Sequence, residues 1–398
     1  MTRVLFVDDE PMLLDALRNA LHRQRQKWEM VFVTSGEAAL AAMTQCPFDV
    51  IVSDMRMPGM DGATLLHNVR SGFPKTARVV LSGQASQEEL LRATPTMQQF
   101  LSKPCELQLL RETVDRVGRV QNLMHDERIQ AVVGALDRLP SFPESYRRLT
   151  ALMEDDSSNA DDIVEVVQSD AALSTKLLQL ANSAYFGHPG ETVAVQQAVR
   201  RVGIDLIRAL ALSAQLCAGV NPAQLAIRSF ATLADRSLYK AQLSARFVED
   251  RALADEAFTA ALLLDVGQLV LAGSQGETYA NVLREAEDGE RSLHSIEQQR
   301  LGLTHAEVGA YLLGIWGLPI KLVECVARHH APTLLDSPPG AVFVAVHMAD
   351  VLVDAVHAGA SDPLQALDPV LAARLDVVAR LPAALSATVE LIGSRERR

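Results

Sequence analysis

Cysteine is scarce in this chain, with four residues among 398. The four are widely separated and form no C-x-x-C pair: Cys46, Cys105, Cys217 and Cys325. This spacing argues against a zinc ribbon, a redox motif and a disulfide framework. Free thiols are typical of proteins in a reducing cytosol, so we predict a cytoplasmic protein.

Positively charged residues are fewer than negatively charged ones, and long apolar runs are also lacking. Lys and Arg total 37 against 49 Asp and Glu, which gives a net charge of −12. Non-specific nucleic-acid binding requires a surplus of Lys and Arg, so that class of function is disfavoured. We find no apolar run near the roughly 18 residues of a membrane helix, and Asp8-Asp9 comes too early for a signal peptide. We therefore predict a soluble protein with neither a membrane nor a nucleic-acid partner.

Short apolar runs alternate with helical patterns in the first 120 residues. The runs are typical of buried parallel strands: Val4–Val7, Met30–Val33, Phe48–Ser53, Arg78–Ser82 and Gln99–Leu101. A helical pattern follows each run: Pro11–His22, Gly36–Gln45, Asp61–Arg70, Gln87–Ala93 and Cys105–Val117. This order predicts an α/β doubly wound fold, with a five-stranded parallel sheet covered by helices on both faces.

The second half of the chain lacks strand-like runs and is rich in Ala, Leu, Val, Glu, Gln and Arg. Its helical segments include Ile163–Val167, Ala171–Ala181, Ile204–Leu216, Phe230–Val248, Ala254–Leu271 and Ala306–Trp316. We predict an all-α domain over residues 134–335, with further helices packing on it over residues 336–398.

A short apolar seam lies where the two halves meet. Its members are separated by three or four residues or by multiples of these: Leu107, Leu110, Val114, Val117 and Met124. Such a seam is typical of a parallel dimer contact or of a helix packed on its own sheet. The run is shorter than three or four heptads, so packing on the sheet is favoured and a homodimer is the alternative. We place the first domain at residues 1–120 and a linker helix at 121–133.

Charged residues follow three of the predicted strands. Asp8-Asp9 comes after the first strand, Asp54 after the third and Lys103 after the fifth. Open α/β sheets bind ligands at this edge. Converging carboxylates repel one another unless a cation lies among them, and Mg²⁺ prefers oxygen ligands. The sequence therefore predicts a Mg²⁺ site here, with the ammonium of Lys103 adding a point positive charge.

These residues lie in segments that resemble the receiver domain of two-component response regulators. The matching segments span about residues 1–120: Phe6–Glu10, Ser53–Gly62 and Lys103-Pro104. By this resemblance, Asp54 accepts a phosphoryl group from a sensor histidine kinase. Phosphorylation would add negative charge and three strong acceptor oxygens at that residue.

The resemblance also implies roles for the neighbouring residues. Asp9, Asp54 and the backbone carbonyl of Arg56 would ligate Mg²⁺, and Asp8 would assist through water. Two further residues match the switch hydroxyl and the switch aromatic of the family, Ser82 and Phe100. We also hypothesise that Arg56 and Gln84 border the path of the hydrolytic water and set the lifetime of the phosphorylated state.

The helical half resembles the HDOD domain, a relative of the HD metal-dependent phosphohydrolases. The match covers about residues 134–335 and includes Leu139–Pro143, Ala181–Gly187, Ala198–Gly203, Leu263–Gln268 and Trp316–Pro319. HD enzymes hold their metal through a first His, a His-Asp pair and a distant Asp.

Two of those ligand positions carry other residues in this chain. The His-Asp pair reads Leu264-Asp265, and Arg236 matches the first His. Asp265 and Asp350 match the retained carboxylates. Leucine cannot ligate a metal and arginine adds positive charge, so the resemblance predicts that the usual metal site is lost. Asp265 would then cap a turn or accept hydrogen bonds from Arg236.

Four histidines in this half could still bind a ligand: His305, His329, His330 and His347. Adjacent residues of a helix do not share a face, so the pair His329-His330 is poorly arranged to chelate one ion. We therefore predict that these two histidines lie on the surface or at a helix end.

Together the two resemblances imply a response regulator whose HDOD domain acts by binding another protein. That partner would be a signalling protein such as a diguanylate cyclase, a phosphodiesterase or a kinase. The alternative is an HD-type phosphohydrolase or cyclic-dinucleotide phosphodiesterase with a degenerate site. The HD-GYP enzymes need His-Asp-x-Gly-Lys and Gly-Tyr-Pro elements, whereas this chain has Leu264–Gln268 and Ala331–Thr333 at those places. We therefore predict no enzymatic activity beyond the phosphoryl chemistry of the receiver.

Overall fold

The computed structural model describes residues 1–83, 94, 96–103, 105–123, 126–136, 138–154, 159–183, 186, 192–212, 218–219, 227, 230, 232–288, 291–331, 340–357, 359 and 386. The predicted helix Gln87–Ala93 and the residue Gln84 lie outside these ranges. The same is true of most of the predicted C-terminal region at 336–398.

The first domain is built on a five-stranded parallel sheet in the order β2-β1-β3-β4-β5. Its strands are β1 Thr2–Val7, β2 Trp28–Val33, β3 Val50–Ser53, β4 Ala77–Ser82 and β5 Gln99–Ser102. The described crossover helices are α1 Pro11–Ala20, α2 Gly36–Gln45 and α3 Gly62–Gly72. Every residue of β3 is buried, because helices cover both faces of a sheet of this kind. The predicted α/β doubly wound fold is confirmed.

The apolar seam at the junction packs inside the chain. Helix α4, Leu107–Leu123, carries Leu110, Val114 and Val117, which are at most 1% exposed. Packing on the protein's own core, the favoured interpretation, is therefore what the structure shows for these three residues. The region predicted as one linker helix, 121–133, holds the end of α4 and most of a second helix, α5 Glu127–Ala135.

Helices dominate the second domain. They are α6 Pro143–Glu154, α7 Ala160–Gln168, α8 Ala171–Ala181, α9 Val195–Val202, α10 Ile204–Leu212, α11 Leu233–Arg246, α12 Arg251–Leu262, α13 Val266–Gln275, α14 Glu277–Asp288, α15 Leu293–Arg300, α16 His305–Ile315, α17 Ile320–Arg328 and α18 Ala341–His357. A two-residue parallel pairing, β6 Pro140–Ser141 with β7 Ala218–Gly219, departs from the purely helical prediction.

The segment predicted as one helix, Ala254–Leu271, is in fact two. A turn at residues 263–265 separates α12 from α13 and makes Asp265 the residue that precedes α13. By length and composition Arg251–Gln275 could cross a membrane, although no such run was expected, but 83% of its apolar window is buried inside the protein. Its apolar character is thus accounted for by the core of the helical domain.

A buried carboxylate ties the start of α8 to the beginning of the helical domain. Asp170 is fully buried and accepts hydrogen bonds from the backbone N–H groups of Ala172 and Leu173, at 2.8 and 3.0 Å. It also accepts from the Ser141 hydroxyl at 2.7 Å and from the Phe142 N–H at 3.1 Å. One side chain therefore satisfies four donors.

We expect Asp170→Ala to lower the free energy of unfolding by about 3 kcal/mol, because it removes a helix cap and leaves buried donors without an acceptor. Urea denaturation followed by circular dichroism measures the change. Asp250→Ala is the matched control, since Asp250 is an exposed cap of α12. It should cost about 1 kcal/mol or less. Equal losses in the two variants would contradict the role assigned to Asp170.

Candidate functional site

Two carboxylates and an ammonium meet at the carboxyl edge of the sheet. Asp8 and Asp54 follow β1 and β3, whose last residues are paired in register, so the two side chains emerge next to each other. They are 3% and 7% exposed. The Nζ atom of Lys103 lies 2.5 Å from Asp8 Oδ2 and 2.7 Å from Asp54 Oδ1. The structure thus brings together three of the residues predicted for this site.

The backbone around Asp54 fixes its carboxylate. The N–H of Arg56 donates to Asp54 Oδ2 at 2.7 Å. Gly62, the first residue of α3, lies so close that a Cβ there would be 2.0 Å from the Asp54 carbonyl oxygen. Only glycine allows the helix to approach the strand this closely. One carboxylate oxygen therefore faces Lys103 while the other is held by the loop.

Burial raises the pKa of Asp54 above its ordinary value, and the hydrogen bond and charge of Lys103 offset this only in part. Burial also disfavours the charge on Lys103, but its ion pairs with Asp54 and Asp8 outweigh that cost and raise its pKa. The ammonium of Lys103 is therefore held in its charged form, and the carboxylate of Asp54 is partly desolvated. Both features suit capture of an electrophilic, anionic group.

The other predicted residues lie on the strands of the same sheet or just after them. Asp9 is half-buried and follows Asp8, and Arg56 is exposed. Ser82 ends β4 and is 2% exposed, and its carbonyl accepts a hydrogen bond from the N–H of Lys103 at 2.5 Å. Phe100 is buried in the middle of β5. Ser82 is thus joined through the backbone to the residue that carries the ammonium.

A second charged cluster lies in the core of the helical domain, around Lys240 of α11. This lysine is 1% exposed, and its Nζ lies 2.9 Å from Asp265, 2.6 Å from Asp350 and 3.2 Å from Asp354. Burial disfavours its charge, but the carboxylates outweigh that cost and raise its pKa. An ammonium therefore stands among carboxylates that include both of those matched to the HD metal ligands.

Two roles were predicted for the Asp265 side chain, capping a turn or accepting from Arg236, and the structure shows neither: Asp265 precedes α13 without a side-chain cap hydrogen bond, and Arg236 binds another carboxylate. Asp265 accepts from Lys240 and from the side-chain amide of Gln268 at 2.8 Å, and Arg236 binds Asp354 at 2.7 Å. Lys240 could not be identified from sequence motifs, because it matches no motif position. The available signal was its place one helical turn after Arg236, on a face of α11 whose other near neighbours, Ser237, Leu243 and Ser244, are uncharged.

Three histidines converge beside this ion cluster. His305, His329 and His330 each offer one ligand atom, and these atoms lie within 4.8 Å of one another. The Nε2 atoms of His305 and His330 are 2.9 Å apart. His329 is 2% exposed and His330 is exposed, and both follow directly on the end of α17, so the helix-end alternative of the prediction is what the structure shows. Helix α17 ends at Arg328, so the spacing rule for adjacent helical residues does not apply to this pair.

The surroundings hold His305 in one orientation. Its Nδ1 lies 2.6 Å from Oε2 of Glu297, a fully buried residue that also accepts from the hydroxyl of Tyr279 at 2.7 Å. Gly267 allows α13 and α16 to touch, because a Cβ there would be 1.9 Å from the His305 carbonyl. Burial disfavours charge on His305, but Glu297 outweighs it and raises the pKa. The last predicted histidine, His347, donates from Nδ1 to the carbonyl of His329 at 3.1 Å.

Polar contacts join the two domains around β5. Gln99 donates to the carbonyl of Ile315, the last residue of α16, at 2.6 Å. Lys176 of α8 donates to the Thr94 carbonyl at 2.9 Å. From the next turn of α8, Gln179 donates to the carbonyls of two successive residues at 3.3 and 3.1 Å, Met97 and Gln98. The helical domain thus holds the backbone that leads into β5.

Two family models match the chain. A response regulator receiver domain matches residues 4–115, and an HDOD domain matches residues 139–332. Among curated proteins, the hydrogenase transcriptional regulatory protein HoxA of Cupriavidus necator is 34% identical over 125 residues, 31% of this chain and 25% of its own length. An uncharacterised protein of Treponema pallidum is 26% identical over 200 residues, 50% of this chain and 39% of its own. The chain therefore spans less than half the length of these relatives.

Two solved structures are similar over about two thirds of this chain. The MmoQ response regulator of Methylococcus capsulatus is 26% identical, with a TM-score of 0.50, over 63% of this chain and 98% of that one. A virulence factor of Campylobacter jejuni has the same TM-score at 20% identity, over 67% of this chain and 92% of its own, and so is similar in fold alone.

Proposed function

The chain is a response regulator in which a receiver domain precedes an HDOD output domain, and from this premise we propose that phosphorylation of Asp54 releases the HDOD domain to bind a signalling protein. The contact of Lys103 with both Asp8 and Asp54 is the observation that carries the proposal. The donor would be a sensor histidine kinase, and the protein would act in the cytoplasm.

The receiver pocket supplies the chemistry of phosphoryl capture. A carboxylate oxygen of Asp54 forms a bond to phosphorus while the bond between phosphorus and the imidazole nitrogen of the kinase breaks, and that nitrogen keeps the electron pair. Lys103 neutralises the transferred oxygens. The donor set fits Mg²⁺, which prefers carboxylate and carbonyl oxygens: Asp8, Asp9, Asp54 and the Arg56 carbonyl would hold it. When bound, Mg²⁺ neutralises phosphoryl charge.

The connection of the pocket to the domain interface supports a switch. Lys103 follows β5, and the same strand begins with Gln99, which binds the HDOD domain. A phosphoryl group at Asp54 would draw the Ser82 hydroxyl and Lys103 toward its oxygens. A shift of Phe100 within β5 would then disturb the backbone that Lys176 and Gln179 hold. Release of this contact would expose HDOD surface that the receiver covers.

We propose further that the HDOD domain does not hydrolyse phosphoesters at the HD position. The ammonium of Lys240 fills the space between Asp265 and Asp350, so a metal ion and its activated water would have to displace a buried cation there. The domain would instead act by binding another protein. A diguanylate cyclase, a phosphodiesterase or a kinase would suit this role.

The test is to incubate the full chain with Mg²⁺ and a small phosphodonor, then measure intact mass and hydrogen exchange. We expect one phosphoryl group per chain and faster exchange in residues 96–102. Asp54→Asn should gain none and keep its protection. Arg56→Ala is a matched control, since it changes an exposed side chain two residues after Asp54 but keeps the acceptor and the backbone carbonyl, and it should still be phosphorylated. If wild type gains no phosphate, the receiver role is wrong; if it gains phosphate without loss of protection, the release mechanism is wrong.

A further inference from the structure

The interface between the two domains buries positive charge from both of its sides. Arg78 of β4 is 2% exposed, and Lys176 of α8 is 5% exposed. The Nε atom of Arg78 donates to the Thr96 carbonyl at 2.8 Å. The ammonium of Lys176 donates to the Thr94 carbonyl at 2.9 Å. Two buried cations, one from each domain, therefore bind the same short stretch of backbone before β5.

A third cation, Arg116 of α4, lies where that helix meets the residues after α16. Its Nη2 atom donates to Oε1 of Gln99 at 2.9 Å, and a Cβ at Gly317 would be 2.8 Å from the same nitrogen. Gln99 pairs in register with Val79, the residue after Arg78. Arg78 and Arg116 are therefore neighbours of one strand position, on the receiver side of the interface.

These two arginines are poorly compensated in the closed interface. Neither forms an ion pair with a carboxylate of the described residues, and within the same part of the chain Nη1 of Arg78 and Nε of Arg116 are buried without a hydrogen-bond partner. Burial lowers the pKa of Arg78 to about 9, with a further contribution from Arg70, and burial also lowers the pKa of Arg116. Burying a charge without a carboxylate partner costs free energy, so both groups oppose closure.

Separation of the domains would return these cations to water and leave a cleft with positive charge on both walls. The chain as a whole has a net charge of −12, so this concentration of positive charge runs against its overall balance. A carboxylate can accept two parallel hydrogen bonds from one guanidinium, which a backbone carbonyl cannot match. Charge complementarity of this kind selects one partner over another.

We propose that the cleft between the separated domains binds an acidic segment of the partner protein, with Arg78 and Arg116 on one wall and Lys176 on the other. This inference rests on the proposed function, because phosphorylation is what would separate the domains, and it adds the chemistry of the partner. The carboxylates of that segment supply the counter-ions that the closed interface lacks. Binding and opening therefore stabilise each other.

The test uses a variant that opens the interface without phosphate and without loss of a cation. A Cβ at Gly314 would lie 3.0 Å from two methyl carbons of Val120, so Gly314→Leu should push α16 away from α4. A Gln99→Ala, Gln179→Ala variant opens the same interface by removing hydrogen bonds between the domains. Faster hydrogen exchange in residues 96–102 verifies the opening, and circular dichroism verifies the fold.

The probe is a fluorescein-labelled polyglutamate peptide, and fluorescence anisotropy measures its Kd. We expect binding to Gly314→Leu and to phosphorylated wild type to be tighter than to unphosphorylated wild type by about 10-fold or more, because apparent affinity scales with the open fraction. Higher ionic strength should weaken this binding, since salt screens the charges of an open cleft.

Substitutions in the Gly314→Leu background assign the binding to the cleft. Arg78→Met and Arg116→Met should each weaken peptide binding by about 10-fold, because each removes a charged hydrogen-bond donor. Arg284→Met is the matched control, since Arg284 is an exposed residue of α14 that pairs with Glu277, and it should leave the affinity unchanged. Equal affinities in all three variants would overturn the proposal.

Three further outcomes would also overturn it. The first is the absence of peptide binding to a folded variant whose exchange shows it to be open. The second is tighter binding of a single-stranded oligothymidine, which would assign the cleft to nucleic acid. The third is a dimer of Gly314→Leu that excludes the peptide, which would assign it to a second copy of the chain. Peptide binding to Gly314→Leu without faster exchange in phosphorylated wild type would contradict the release mechanism alone and would support the acidic partner.

Discussion

Replacing Lys240 by methionine should lower the free energy of unfolding of the helical domain by about 3–5 kcal/mol, the cost of breaking a buried ion pair from one side. Methionine has similar volume, so packing changes little. The loss comes from three carboxylates left with too little positive charge, Asp265, Asp350 and Asp354. Arg236 contacts only the last of these directly. Urea denaturation with tryptophan fluorescence and circular dichroism would measure the change.

The control for this experiment is Lys321→Met. Lys321 is 66% exposed and lies 3.5 Å from Glu256, so its loss should cost no more than about 1 kcal/mol. If the two variants lose equal stability, Lys240 is not the charge that holds the cluster together.

A smaller side chain at the same position allows a second, sharper measurement. Lys240→Ala leaves space among the carboxylates, and Mg²⁺ or Mn²⁺ should raise its melting temperature more than that of wild type. The receiver pocket is present in both proteins, so only the excess shift reports on the HDOD core. No excess shift would mean that the ammonium does not stand where a cation could bind.

Much of the receiver could be predicted from sequence because its chemistry is local. Each charged residue of the pocket follows a strand directly, and parallel strands bring their carboxyl ends to one edge whatever the rest of the chain does. Asp8, Asp54 and Lys103 therefore meet as expected. The assignment of Leu110, Val114 and Val117 to the protein's own core followed from the shortness of their pattern.

The sites of the helical domain could not be predicted from the sequence, because they are assembled from helices that are far apart along the chain. Lys240 meets Asp350 across 110 residues, and neither periodicity nor spacing records which helix faces which. The helix end at His329-His330 could be predicted, but the burial of His329 could not, because sequence spacing does not show which helices cover that end. The turn before α13 was missed because an apolar run shows no break in its periodicity when both halves are buried.

Removing the side chains through which α8 holds the receiver should open the domain interface without any phosphate. Lys176 and Gln179 donate to backbone carbonyls just before β5, and Lys176 also lies 4.9 Å from the ring of Trp316. Hydrogen bonds contribute about 0.5–1.5 kcal/mol each, and about 1.5–3 where the donor is charged. A Lys176→Ala, Gln179→Ala variant should therefore favour the open form by about 2–4 kcal/mol, or about 30- to 1,000-fold in population.

Hydrogen exchange in residues 96–102 would measure this opening, and the unphosphorylated variant should resemble phosphorylated wild type. Gln108→Ala, an exposed position in α4 that pairs with Glu112, is the control and should keep wild-type protection. Wild-type protection in the double variant would place the restraint elsewhere. Phosphorylation must favour one state by about 5.5 kcal/mol to move a population from 1:99 to 99:1. The double variant removes the contacts through which phosphorylation is proposed to act. Adding a small phosphodonor to it should therefore produce a smaller further increase in exchange than in wild type, whereas two independent processes would give a full second increase.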